Sequence, residues 1–181
     1  MRRSLLGQGN CVQRFLFVFV ILAAGCAAPA SSERKAVEPS VIKLLGDSAG
    51  IISGADSAEA FLLVGEKGPS ARSLQGYPVI ETRMLSAEQR DRMSALLVSP
   101  DGFTGMPPKL CDFHPFIALK FKKGQEEADV LLCFSCDERR VFHKDRMISE
   151  HIDFIRKDLV QLTKALFGSH PAVQRLRESI K

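Results

Sequence analysis

"FIALKFKKGQEEADVLLCFSC", residues 116–136, decides the fold. Two apolar runs flank the turn-forming "GQEE", and their register follows from asking which pairing gathers apolar side chains on one face. Setting Lys122 opposite Asp129 places Phe121 against Val130, Leu119 against Leu132 and Ile117 against Phe134. Ala118, Lys120 and Lys122 then point the other way. A slip by one residue would turn the apolar set to water, so the stretch predicts an antiparallel hairpin in this register.

Working outward, "RRVFHKD" (139–145) reads as a third strand, and "SAEAFLLVGE" (57–66) and "GYPVIETRML" (76–85) as two more bounded by Gly and Pro. Ser40 caps a short helix through Val41, Ile42, Leu44 and Leu45 that ends between Gly46 and Gly50. Ser86 and Gln89 form a capping box. The helix it opens buries Met93, Leu96 and Leu97 and stops at Pro100 and Gly102. The Gly- and Pro-rich 101–110 is a loop. Ile152, Ile155, Leu159, Leu162 and Leu166 recur at helical spacing until Gly168 and Pro171, and Val173, Leu176 and Ile180 suggest a last short helix. The expectation is an α+β domain, an antiparallel sheet with helices packed on one face.

The amino terminus has a different character. A basic polar stretch precedes the uncharged apolar run "FLFVFVILAA" (15–24), ten residues long, then Gly25 and Cys26. That is the order of a secretory signal, and the run is shorter than the roughly 20 residues a membrane-spanning helix needs. "LAAGC" (22–26) resembles the lipobox of bacterial lipoproteins. The resemblance implies cleavage before Cys26, acylation of its sulfur and anchoring by several buried acyl chains. Ala27, rather than Asp, implies outer-membrane sorting in a Gram-negative envelope. Residues 1–25 are therefore expected to be a lipoprotein signal peptide, 26–39 a small, polar, Pro-containing tether, and 40–181 a single α+β domain.

Composition excludes several classes. Of 181 residues, 45% are hydrophobic and 25% charged, ordinary globular values. Arg2, Arg3 and Arg14 lie in the leader; without them 22 basic residues face 21 acidic ones, a net of +1 that gives no footprint for nucleic acid. Lys120, Lys122 and Lys123 read as a wet basic face, because no aromatic residue interleaves with them on that face.

Once Cys11 leaves with the leader and Cys26 is lipidated, Cys111, Cys133 and Cys136 remain. A redox C-x-x-C needs its first cysteine at a helix amino terminus, and here the pair sits in a β-run. Cys111, His114, Cys133 and Cys136 have zinc-ribbon-like spacing, an allowed zinc site or thiol-based centre, although "CFSCDERR" lacks the tight Gly or Pro turn of a zinc knuckle. The favoured reading is a Cys111–Cys136 disulfide across the hairpin base. Cys136 is placed on the apolar side with Phe134, Cys133 on the opposite face, and the closed loop of about 25 residues is worth about 3 kcal/mol. A Cys111–Cys133 bridge and three buried thiols remain as alternatives. "CDFHPFIALKFKKGQEEADVLLCFSCDERRVF" (111–142) resembles a group of bacterial lipoproteins and exported proteins with a cysteine ahead of a proline, a strand, and an ICF-x-C-like second strand. That group carries no assigned activity.

His114, His143, His151 and His170 are scattered and read as surface residues. Asp137 and Glu138, beside Arg139 and Arg140, read as a solvated turn. Neither a zinc-protease helix motif nor a nucleophile elbow nor a phosphate loop is present. The expected function is a non-enzymatic binding or scaffolding role for a lipid-anchored cell-envelope protein. Its partners are the membrane, through the anchor, and another envelope protein; a zinc or thiol activity is the alternative.

Overall fold

Each strand of the central sheet is antiparallel to its neighbours, as the hairpin pattern requires, and the order across the sheet is β2-β3-β1-β4-β5-β6-β7. The strands are β1 Ser57–Leu63, β2 Ser73–Leu74, β3 Tyr77–Met84, β4 Ile117–Lys123, β5 Glu126–Cys133, β6 Glu138–His143 and β7 Arg146–His151. The helices are α1 Pro39–Leu45, α2 Asp47–Ser53, α3 Ala87–Leu97, α4 Arg156–Phe167 and α5 Pro171–Gln174. This computed structural model describes residues 36–103 and 109–178. The expected leader, the Cys26 anchor and most of the tether lie outside the described residues. Among the described residues, no helix is long and apolar enough to cross a membrane.

Local chemistry explains most element boundaries. Pro39 opens α1, where its missing N–H costs nothing, and Glu38 occupies the cap position, so Ser40 lies inside the first turn rather than capping it. Gly46, at φ 58°, reverses the chain into α2, a second helix beyond the one read from the sequence. A Cβ there would lie 2.9 Å from the Arg146 guanidinium. The capping box of α3 forms as read: the Gln89 N–H donates to Ser86 Oγ (3.2 Å) and the Ser86 N–H to Gln89 Oε1 (2.9 Å). A short 3-10 turn at Asp153–Ile155 precedes α4, so the apolar stripe from Ile152 starts ahead of the helix itself.

The hairpin register differs from the expected one by two residues. Lys123 faces Glu126, and Ile117, Leu119 and Phe121 oppose Leu132, Val130 and Ala128. The apolar face survives because a strand repeats every two residues. Apolar matching cannot separate two registers that differ by two, and the tight turn at Gly124 (φ 57°) and Gln125 decides between them.

Both faces of the central strands are covered. On one, Ala58, Leu62, Leu119, Phe121, Val130 and Leu132 meet Leu45, Ile52, Met93, Leu97, Leu159 and Phe167 of the helices. On the other, Phe61, Leu63, Leu131, Cys133 and Cys136 pack beneath Tyr77 and Phe113. Burial on both sides accounts for the unbroken apolar runs "AFLL" and "VLLC", since a half-exposed strand would alternate.

The sheet has two distinct ends. At one, where the described chain begins, α1 and α2 approach the 124–125 and 144–145 turns: Arg146 Nη2 donates to Leu44 O (3.2 Å), Lys123 Nζ to Gly50 O (3.1 Å), and Lys144 Nζ lies 3.3 Å from Glu126. At the other lie the 134–137 turn, the 109–116 segment and the end of β7, which Cys111–Cys136 and Lys109–Asp153 draw together. Seven residues of strand separate the ends by about 20 Å.

Candidate functional site

The end of the sheet away from the start of the described chain holds the densest polar chemistry. Cys111 and Cys136 form a disulfide with Cα atoms 6.2 Å apart, binding the 109–116 segment to the turn after β5. Cys136 does not lie with Phe134. The strand ends at Cys133, and the turn carries Cys136 onto the same outer face as Cys133 and Leu131, while Phe134 stays with the helix-side core. Cys133 is a buried free thiol whose Sγ lies 3.2 Å from Ser135 Oγ.

Of the four residues with ligand-like spacing, two are therefore spent in the bridge. His114, exposed, has its Nδ1 3.0 Å from Gly65 O. Among the described residues, no group of three or more His, Cys, Asp or Glu side chains is placed to hold a metal ion.

Asp137 and Glu138 correct the solvated-turn expectation, for they are 4% and 2% exposed. Asp137 takes φ 52°, a left-handed turn conformation that Asp tolerates better than most residues, and its carbonyl accepts from the Ile152 N–H (2.9 Å). Its carboxylate pairs with Arg156, whose Nη1 also donates to Phe134 O (2.6 Å) and whose Nε donates to Arg177 O (3.2 Å). Lys109 Nζ lies 3.8 Å from Asp137 and 2.9 Å from Asp153. His151, also buried rather than on the surface, brings Nδ1 to 3.2 Å from Asp153. Burial would raise the Asp153 carboxyl, but the Lys109 hydrogen bond and charge, with His151, hold it below the usual range.

Across the β6–β7 ladder, Glu138 faces His151 and accepts from Ser149 Oγ (2.5 Å) and Arg140 Nε (3.0 Å). The Arg140 guanidinium stacks 4.0 Å above the Phe113 ring and so ties the stapled segment to the sheet a second time. On the helix side Arg139, fully buried, donates to Leu97 O (2.8 Å) and Gly102 O (3.0 Å) beneath Phe103, 4.1 Å from its ring. The Leu97 carbonyl ends α3 and the Gly102 carbonyl ends the short turn after it, so one side chain closes the helix and its exit onto the sheet. Burial pushes its pKa down to about 10, against the opposing pull of Glu150.

Ser149, His151 and Asp153 alternate along β7 and just beyond it, yet they do not form a nucleophilic relay: the Ser149 hydroxyl goes to Glu138. The charges of this network are paired with one another or with main-chain carbonyls. What it does chemically is fix geometry, holding the 109–116 segment rigid against the sheet.

On that rigid base stand two exposed apolar side chains. Leu110, next to Lys109, is fully exposed, and Phe154, next to Asp153, is 72% exposed. The Lys109–Asp153 ion pair joins their neighbouring backbones. Phe154 had a signal in the sequence, since it falls off the stripe of Ile152, Ile155 and Leu159. Leu110, inside a Gly- and Pro-rich loop, had none. The basic face expected on the hairpin is neutralised, for Lys120 meets Glu127 (2.7 Å) and Asp129 (3.3 Å), while Lys123 turns to the helix side. Comparison of the chain with protein-family models, with curated proteins and with solved structures finds no match.

Proposed function

We propose that this chain is a lipid-anchored cell-envelope protein with a non-enzymatic binding role, and that its stapled end holds another envelope protein. The observation that carries this reading is the exposure of Leu110, on a segment held by a disulfide and an Arg–aromatic stack, and of Phe154, in the turn that the Lys109–Asp153 ion pair ties to that segment. Apolar anchors on a preorganised base lose little entropy on binding, and such anchors, ringed by polar groups, dominate protein interfaces. Two features support export and anchoring. The leader ends in a lipobox-like Leu22–Cys26, and a disulfide belongs to an oxidising compartment.

A photo-crosslinking residue at exposed Asp112, two positions from Leu110, activated in intact cells, tests the reading. The expected result is an adduct with one envelope protein, abolished by combining Leu110→Ser with Phe154→Ser while the melting temperature stays unchanged. Recovery of no partner, together with hydrolase activity in the purified protein, would defeat it.

A further inference from the structure

The opposite end of the domain has its own apolar surface. Ile42, on α1, is 49% exposed and forms one wall of an open groove of about 690 Å³ that Val37, Gly46, Gly50 and Ile51 also line. Helical periodicity does not require Ile42 there: the inward face of α1 is already satisfied by Val41 and Leu45. The charges around this end balance, with Lys43, Lys123, Lys144 and Arg146 against Glu38, Asp47, Glu126 and Asp145. A nucleic acid or a strongly charged protein is a poor fit to such a surface.

What covers it follows from where the chain leads. Ala36, on the wall of the groove, is ten residues from Cys26, so the backbone between them spans at most about 36 Å whatever path it takes. Resting on the reading that Cys26 carries the lipid, we infer that this edge of α1 docks on the bilayer surface, Ile42 and Val37 entering the boundary between headgroups and acyl chains. The tether supplies the proximity, which makes docking intramolecular and removes the need for a large apolar area. Lys43, about 100° round the helix from Ile42, keeps its ammonium in the headgroup layer. Because charge is balanced, docking is apolar in origin and insensitive to salt and to anionic lipid. The stapled end then faces away from the membrane, where another envelope protein reaches it.

The chain contains no Trp, so single substitutions report without background. Full-length lipidated Ile42→Trp and Phe154→Trp variants are placed in phosphatidylcholine vesicles with and without brominated acyl chains. The expected result is blue-shifted emission, quenched by the brominated lipid, for Ile42→Trp, and neither change for Phe154→Trp at the far end. Equal behaviour of the two variants, in protein whose mass confirms the acylated Cys26, overturns the docking and leaves the anchor standing. Protection of Ile42→Trp by a co-purifying protein without lipid quenching also overturns it. A mass without acyl chains at Cys26 removes the anchor and the docking together.

Discussion

Arg156 and Asp137, 19 residues apart in sequence, form an ion pair in which each side chain is less than a tenth exposed. It joins the first turn of α4 to the turn after β5, where the disulfide is rooted, so the helix layer and the stapled segment share one electrostatic bolt. Removing one partner leaves an uncompensated buried charge. Asp137→Ala or Arg156→Ala should each cost about 3–5 kcal/mol in urea unfolding. The double replacement should cost less than the sum, and a double-mutant cycle measures the difference.

Asp153 gives stability a definite pH dependence. Its folded pKa lies below the ordinary 3.8, so the unfolded chain binds the proton more readily than the native one. Its contribution is complete above the unfolded value and lost as pH falls through the depressed one. Unfolding midpoints measured from pH 6 down to pH 2 should decline below about pH 4, the ordinary value for Asp being 3.8. Asp153→Asn should flatten that decline.

Native thiol titration of the processed chain should find no reactive cysteine in the domain, and unfolding should release the one thiol of Cys133. Cys111→Ser with Cys136→Ser should lower stability by about 3 kcal/mol, the chain-entropy value for a loop of this length. Bound zinc together with free thiols at Cys111, Cys133 and Cys136 would instead support metal or thiol chemistry at these residues.

Arg139 reaches its two carbonyls from two separate nitrogens, a fork that the single nitrogen of lysine does not reproduce, so Arg139→Lys should destabilise by about 1–3 kcal/mol. Hydrogen exchange should quicken at the end of α3 and around Gly102 more than elsewhere.

Phe121, fully buried between the sheet and the helices, tests the core. Phe121→Ala should cost about 3–5 kcal/mol by chemical denaturation, because the surrounding side chains cannot collapse into the space.

Much of the fold was legible because its signals are local. The Ser86–Gln89 capping box, the apolar face of Ile117, Leu119 and Phe121, the stripe leading into α4 and the α+β class each follow from periodicity or from groups three residues apart. The candidate site was far less legible. "CDERR" has the composition of a wet turn, and what buries Asp137, Glu138 and Arg139 is supplied by Arg156, Ser149, and the Leu97 and Gly102 carbonyls, all distant in sequence. The disulfide was anticipated with Cys136 on the wrong face, since the reading extended β5 past Cys133, where the chain in fact turns.

Sequence by itself determined which residues of the hairpin share its helix-side face and where α3 begins, because those choices depend on neighbours two to four positions away. Tertiary structure alone decided which of two registers the hairpin takes, which face Cys136 occupies, and whether the acids and arginines after it meet water or one another. A shift of two leaves every side chain on its own face, and a charge is buried only when partners from other elements arrive to pair with it.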